Sequence, residues 1–225
     1  MSDLINKTAV LYFSLSPSVE VRNKILSRSH DQNKDILESL FYYTKNQLGN
    51  VTLDVIYWDE KKQKGDSFGD RFSHAFHSLF DRGYEKVIAI GNDCPELSLE
   101  DITSAAGSLE RNVPVIGPSH DGGVYLLGIS KNQFNAVEFK NISWNSSKVA
   151  GEFKLHFPEL YCLSEKPDID NVADFNNFIK NKQWLKIAKW LKNIINPEYI
   201  FSDLRIFISE RLFVLRSCQL PPPSL

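Results

Sequence analysis

The sequence predicts an α/β domain with a mostly parallel central sheet flanked by helices, followed by a C-terminal extension. Three observations predict it. Short β-type runs alternate with helical apolar stripes as far as Ser130, the pattern of a sheet covered by helices. One of those runs, "KVIAIG" (86–91), is too short for a helix and too apolar for an exposed strand, which suits the middle of a parallel sheet. The chain has 225 residues, 42% of them apolar and 12% aromatic. That is enough for a sizeable core, with one domain or one domain and an extension.

"TAVLYFSL" (8–15) reads as the first buried strand. The polar stretch "SPSVEVRNKILSRSHDQN" reads as a loop. Ile36, Leu37, Leu40, Phe41 and Tyr43 then mark a helix over 33–48. "VTLDVIYW" (51–58) is the second strand, followed by a charged loop. Phe68, Phe72, Ala75, Phe76, Leu79 and Phe80 form one apolar face of the clearest helix, with Ser67 and Asp70 as a capping pair and Gly83 as its stop. After 86–91, Ser98 and Asp101 open a helix that runs to about Glu110. "VPVIG" (113–117) and "GVYLLGIS" (123–130) are further strands. Beyond Asp174 a helical stripe continues to 195, and residues 196–217 alternate apolar and charged groups before "PPPSL". The expected division is 1–180 for the domain and 181–225 for the extension, which packs on the domain or makes a homodimer.

Composition argues against several function classes. The formal charge is −2, and Lys and Arg are scattered rather than striped, so no nucleic-acid partner is expected. No run reaches the roughly 18 apolar residues of a membrane helix, and no secretory leader is read at the start, so a cytoplasmic protein is expected. Cys94, Cys162 and Cys218 are far apart and form no CxxC pair. His74 and His77 read as surface or boundary residues.

Four stretches carry chemistry. In "IAIGNDCPELS" (89–99), Asp93 follows the end of a buried strand, where open α/β sheets bind ligands. A carboxylate there suits Mg²⁺ or Mn²⁺, and equally suits an Asx-turn. In "GPSHDGGVYLLG" (117–128), Asp121-Gly122-Gly123 predicts a tight reversal with positive φ, or a backbone that lets a ligand approach. In "QKGDSFGDR" (63–71), glycines flank a helix start whose amides can meet an anion or a base edge. In "PDIDNVAD" (167–174), Asp168 and Asp170 are either a second carboxylate for a metal or solvated loop charges, and Asp174 starts a helix.

Taken in order, these stretches resemble a bacterial family of GT-A-type, nucleotide-diphospho-sugar transferase-like proteins. The family pattern runs Q-x-G-x-D-L-G-x-R, G-x-D-C-P, G-P-x-x-D-G-G-Y-x-L-x-G, a tryptophan followed by valine, and D-x-D-x-x-x-D. Gln63, Gly65, Gly69 and Arg71 match the first motif, with Ser67 and Phe68 departing from it. Gly91, Asp93, Cys94 and Pro95 match the second. Gly117, Pro118, Asp121, Gly122, Gly123, Leu126 and Gly128 match the third, with Val124 in place of tyrosine. Trp144 and Val149 match the fourth, and Asp168, Asp170 and Asp174 the last.

The resemblance implies the GT-A fold and a metal-dependent transferase, with glycosyl transfer from a nucleotide sugar to a small acceptor as the expected reaction. It implies Mg²⁺ or Mn²⁺ on Asp93 and Asp170, and a catalytic role for Asp93 and Asp121. Gln63, Gly65, Arg71 and Asn92 fall on the nucleotide side, and Gly122, Gly123 and Trp144 on the substrate or acceptor side. Relatives carry a glycine and a K-T-R-L run after the first strand. Here "SPSVEVRNKIL" stands instead, with Arg22 and Lys24 as the only replacements for phosphate binding. Two alternatives stay open: nucleotidyl transfer from a nucleoside triphosphate to a phosphorylated acceptor, and a non-catalytic nucleotide-binding or assembly protein of the same fold.

Overall fold

The computed structural model describes residues 7–180. The expected extension at 181–225, and the helical stripe beyond 180, lie outside them. All described residues belong to one unit, Met1–Gln183.

Among the described residues six strands form one sheet: β1 (Thr8–Phe13), β2 (Asp54–Trp58), β3 (Lys86–Ile90), β4 (Val115–Pro118), β5 (Val124–Ser130) and β6 (Tyr161–Cys162). Their spatial order is β2-β1-β3-β5-β4-β6. β1 pairs in parallel with β2 and β3, and β4 with β6. β5 runs antiparallel between β3 and β4. Five strands therefore share one direction, and the hairpin joining β4 to β5 lies at the rim where β1 and β3 end.

The helices are α1 (Pro17–Glu20), α2 (His30–Leu48), α3 (Phe68–Asp81), α4 (Leu99–Glu110), α5 (Ala136–Asn141), α6 (Val149–His156) and α7 (Val172–Lys180). They cover both faces, and the period of two along each strand divides the core. Ala9, Leu11 and Phe13 of β1 join Val87 and Ala89 of β3 under α3, α5 and α6. Val10 and Tyr12 join Ile88 and Ile90 under α4 and the end of α2. Phe76 and Leu79 of α3 are fully enclosed. Burying each contributes about 2–3 kcal/mol.

Local chemistry sets the helix starts. Ser67 with Asp70, and Ser98 with Asp101, form complete capping boxes on α3 and α4. Gly83, just past α3, has φ +92°. Three boundaries differ from the sequence expectation. The stretch read as a loop after β1 contains α1, and Ser29 caps α2 from His30 by accepting from the Gln32 N–H. β2 begins at Asp54, because 51–53 are still leaving the helix turn. The segment 131–160, which the sequence reading left without elements, supplies α5 and α6. Their Phe139 and Phe153, with Phe134 and Trp144, extend the aromatic stack of α3.

Candidate functional site

A cleft of about 370 Å³ opens at the carboxyl ends of β1 and β3. Four segments build its walls: Phe13 to Leu15 at the end of β1, Gly91 to Asp93 after β3, the hairpin from Ser119 to Tyr125, and Trp144 to Ser146. Gln63 reaches it from the loop before α3, and Phe68, Arg71 and Phe72 from the first turns of α3. Asp168 and Asp170 complete the rim.

The chain brings those last two carboxylates in by backbone pairing. After β6, Leu163 N–H donates to Ile116 O, Lys166 N–H to Pro118 O, and Ile169 N–H to Asp93 O, at 2.8–3.1 Å. The Lys166 ammonium pins this strap to the loop after β3. It binds Asp101, donates to Glu96 O at 3.1 Å and lies 5.4 Å from the Tyr125 ring centroid. Nothing near Lys166 in the chain signals a partner for it, so its role is visible only in the folded protein.

The acidic rim has two parts. Oxygens of Asp121, Asp168 and Asp170 all come within 4.8 Å of one another. Burial, together with the Asp121 and Asp170 carboxylates, pushes Asp168 up to about 6. Three converging carboxylates, whose charges repel one another, fit a hard divalent cation, which removes the repulsion. Asp93 stands beside this triad and faces Lys24. The Lys24 ammonium is 2.9 Å from Asp170 Oδ1 and 3.8 Å from Asp93 Oδ2. Burial alone would lower this ammonium, and the Asp93 and Asp170 carboxylates reverse that, holding it above the usual lysine value. Asp93 and Asp170 thus converge, with a lysine between them.

Behind them, Asn92 is buried and donates from Nδ2 to Glu20 Oε2 at 2.6 Å. Cys94 is buried too, and that burial pushes its thiol up, so it packs rather than reacts. Arg22 is exposed on the turn after α1 and does not line the cleft.

On the α3 side, the Gln63 amide Nε2 donates to Ser14 O and Trp58 O, both at 3.4 Å, joining the ends of β1 and β2. Gly65 lies on the exposed turn before α3, outside the cleft lining, and Arg71 donates from Nη1 to Asp66 O at 3.1 Å. Trp144 forms the aromatic wall. Its Nε1 donates to Phe139 O at 2.7 Å, and its ring packs on Phe68 and Phe72. Gly69 permits this approach, since a Cβ there would lie 2.6 Å from Lys140 O and 2.9 Å from Trp144 Cδ1.

The hairpin is both a turn and a site element. Asp121 Oδ1 accepts from Ser119 Oγ at 2.7 Å and from the Gly123 N–H at 2.8 Å. Gly122 has φ +90°, and its carbonyl accepts from Ala150 N–H at 3.1 Å. The expected positive-φ reversal is therefore present.

Residues 44–146 match the model of a family described as uncharacterized protein conserved in bacteria (DUF2064). Among solved structures, a candidate nucleotide-diphospho-sugar transferase from Desulfovibrio desulfuricans G20 superposes with a TM-score of 0.67 at 21% identity. The match covers 84% of this chain and 96% of that one. A cytidylyltransferase from Leptospira borgpetersenii serovar Hardjo-bovis superposes with a TM-score of 0.51 at 10% identity, covering 96% of this chain and 100% of that one. No curated protein matches the sequence. The chain has the nucleotide-diphospho-sugar transferase fold, and over residues 44–146 its sequence is similar to the DUF2064 family, in line with the GT-A-type bacterial resemblance of its motifs.

Proposed function

We propose that the chain is a metal-dependent transferase acting on a nucleotide-activated substrate, and that it moves a glycosyl group from a nucleotide sugar to a small acceptor. One observation carries this reading: carboxylates from three separated segments, Asp93, Asp121 and the Asp168–Asp170 pair, line one cleft together with the aromatic side chains of Phe68, Phe72 and Trp144. A nucleotide sugar has the same division, with a charged diphosphate between a flat base and a sugar ring. The activities named for the two fold neighbours, nucleotide-diphospho-sugar transfer and cytidylyl transfer, support transferase chemistry on a nucleotide.

In this reading Asp121, Asp168 and Asp170 hold Mg²⁺ or Mn²⁺. Bound there, the ion supplies positive charge against the diphosphate as it leaves. The protein's own residues do the remaining work. Asp93 keeps the Lys24 ammonium at the rim, and Asn92 keeps Glu20 behind it. Gln63 fixes the strand ends where a base would enter, and Arg71 adds positive charge at the mouth. The Trp144 ring, anchored through its Nε1, is a flat wall for the sugar or acceptor. Gly123 lines the cleft, and Gly122, outside that lining and packed against Ser147, sets the turn that carries Asp121.

Calorimetry with UDP and GDP, with and without Mn²⁺, tests the reading. Nucleotide binding that strengthens with Mn²⁺ supports it, and binding indifferent to Mn²⁺ removes its metal. Nucleotidyl transfer is the second reading, favoured by the cytidylyltransferase neighbour. It releases pyrophosphate from a triphosphate, whereas glycosyl transfer releases a nucleoside diphosphate.

A further inference from the structure

Lys24 is turned the wrong way for a surface lysine. Such side chains keep the charged head in water, yet this one is only 14% exposed, while Asp170 beside it is 49% exposed. Its backbone is clamped. Asn33 of α2 accepts the Leu26 N–H at 2.6 Å and donates from Nδ2 to the Lys24 carbonyl at 2.8 Å. The ammonium is held at 2.9 Å on Asp170, which also belongs to the carboxylate triad. A divalent ion on the triad and an ammonium on the same carboxylate would repel each other strongly at such separations.

We infer that Lys24 is a resident counter-cation of the site, holding Asp170 until a divalent ion displaces it. The inference rests on the reading of Asp121, Asp168 and Asp170 as metal ligands. One cation leaves the carboxylate as another arrives, so the charge of the acidic rim is partly offset in the metal-free protein as well as in the loaded one. Lys24 is thus a positioning residue that weakens metal binding, the reverse of what a scaffold residue does. Because the competition is reciprocal, the metal must weaken the hold on Lys24 as much as Lys24 weakens the metal.

The test uses the full chain. Mn²⁺ is titrated by calorimetry into the wild type, Lys24→Gln and Lys24→Arg. Lys24→Gln is expected to bind Mn²⁺ about tenfold tighter, and Lys24→Arg to stay within about threefold of wild type. Equal or weaker binding by Lys24→Gln overturns the inference. A second measurement needs no variant to fold: reductive dimethylation of the wild type, read by mass spectrometry. Labelling of Lys24 is expected to rise about fivefold between chelator and saturating Mn²⁺, and unchanged labelling overturns the inference. Asp168→Ala separates the two failures. If it binds Mn²⁺ as the wild type does, the triad reading itself is wrong. If it loses Mn²⁺ while Lys24 neither competes nor becomes labelled, the triad stands and the Lys24 inference alone falls.

Discussion

The backbone N–H of Ile169 donates to the carbonyl of Asp93 at 2.8 Å. That bond joins two carboxylate-bearing segments far apart in the chain. The Ile169 side chain is 1% exposed, and alternation in extended chain sends its neighbours Asp168 and Asp170 the other way, toward the cleft. An apolar residue between two aspartates is thus the device that anchors one side and presents the other.

The first prediction follows from that presentation. Asp168→Ala should weaken Mn²⁺ binding at least about 100-fold, since loss of even an outer-shell partner costs 10–100-fold at metal sites. Asp93→Ala should weaken it far less, because Asp93 faces Lys24 and stands outside the triad. Calorimetric titration of both variants checks this. Equal losses would return Asp93 to the ligand set.

Asn33 gives the second. Its side chain serves the Leu26 and Ser27 N–H groups and the Lys24 carbonyl while almost fully buried. Asn33→Ala leaves the Leu26 N–H without its partner, and should cost about 1–3 kcal/mol in urea denaturation. The same change frees the 24–27 backbone, so it should move Mn²⁺ affinity in the same direction as Lys24→Gln and by less. A stability loss with no change in metal binding would make Asn33 purely structural.

How far the sequence carries the fold and site depends on whether the signal is local. The capping boxes at Ser67 and Ser98, the stripe of α3 and the Gly122 turn depend on residues a few positions apart, and all are present as expected. α1 is not legible in the sequence, because "PSVEVRNK" has no apolar stripe. What orders it is a buried pair, Glu20 with Asn92, whose members are 72 positions apart. β6 has only two residues, and its pairing with β4 decides it, not its composition. The acidic motifs were legible one by one. The intrusion of Lys24 between Asp93 and Asp170, and the pinning of the strap by Lys166, exist only once the sheet is assembled.

The Glu20 carboxyl supplies a pH dependence. Burial raises it above the ordinary value of 4.5, with Asp93 and Asp170 adding to the rise and Lys24 and Asn92 opposing it. A folded value above the unfolded one means the native state holds this proton to higher pH. The stability it contributes is full below about pH 4.5 and is lost as pH rises through the folded value. Glu20→Gln keeps an acceptor for Asn92 Nδ2 and cannot ionise. In chelator, its stability relative to wild type should therefore climb between pH 4.5 and 7, with the two curves meeting at the acidic end. Urea denaturation across that range checks this, and parallel curves would mean that Glu20 ionises as freely in the fold as outside it.

Gly122 carries the most demanding backbone requirement at the site. Its φ of +90° is one that side chains rarely adopt, and a Cβ would collide with the backbone carbonyl of Ser147. Its own carbonyl also receives the Ala150 N–H in the first turn of α6, so the turn cannot retreat without giving up that bond. Gly122→Ala should therefore destabilise the protein by about 2–4 kcal/mol. Because the displaced hairpin carries Asp121 away from Asp168 and Asp170, the variant should also bind Mn²⁺ at least about tenfold more weakly under conditions where it is fully folded. Gly151→Ala is the matched control. It lies in α6 with nothing within 4 Å of its would-be Cβ, so alanine there should be neutral or stabilise by up to about 1 kcal/mol. Urea denaturation and Mn²⁺ titration of the pair distinguish a positional requirement from a general cost of adding a methyl group. If Gly122→Ala keeps full metal affinity, the hairpin does not set the position of Asp121.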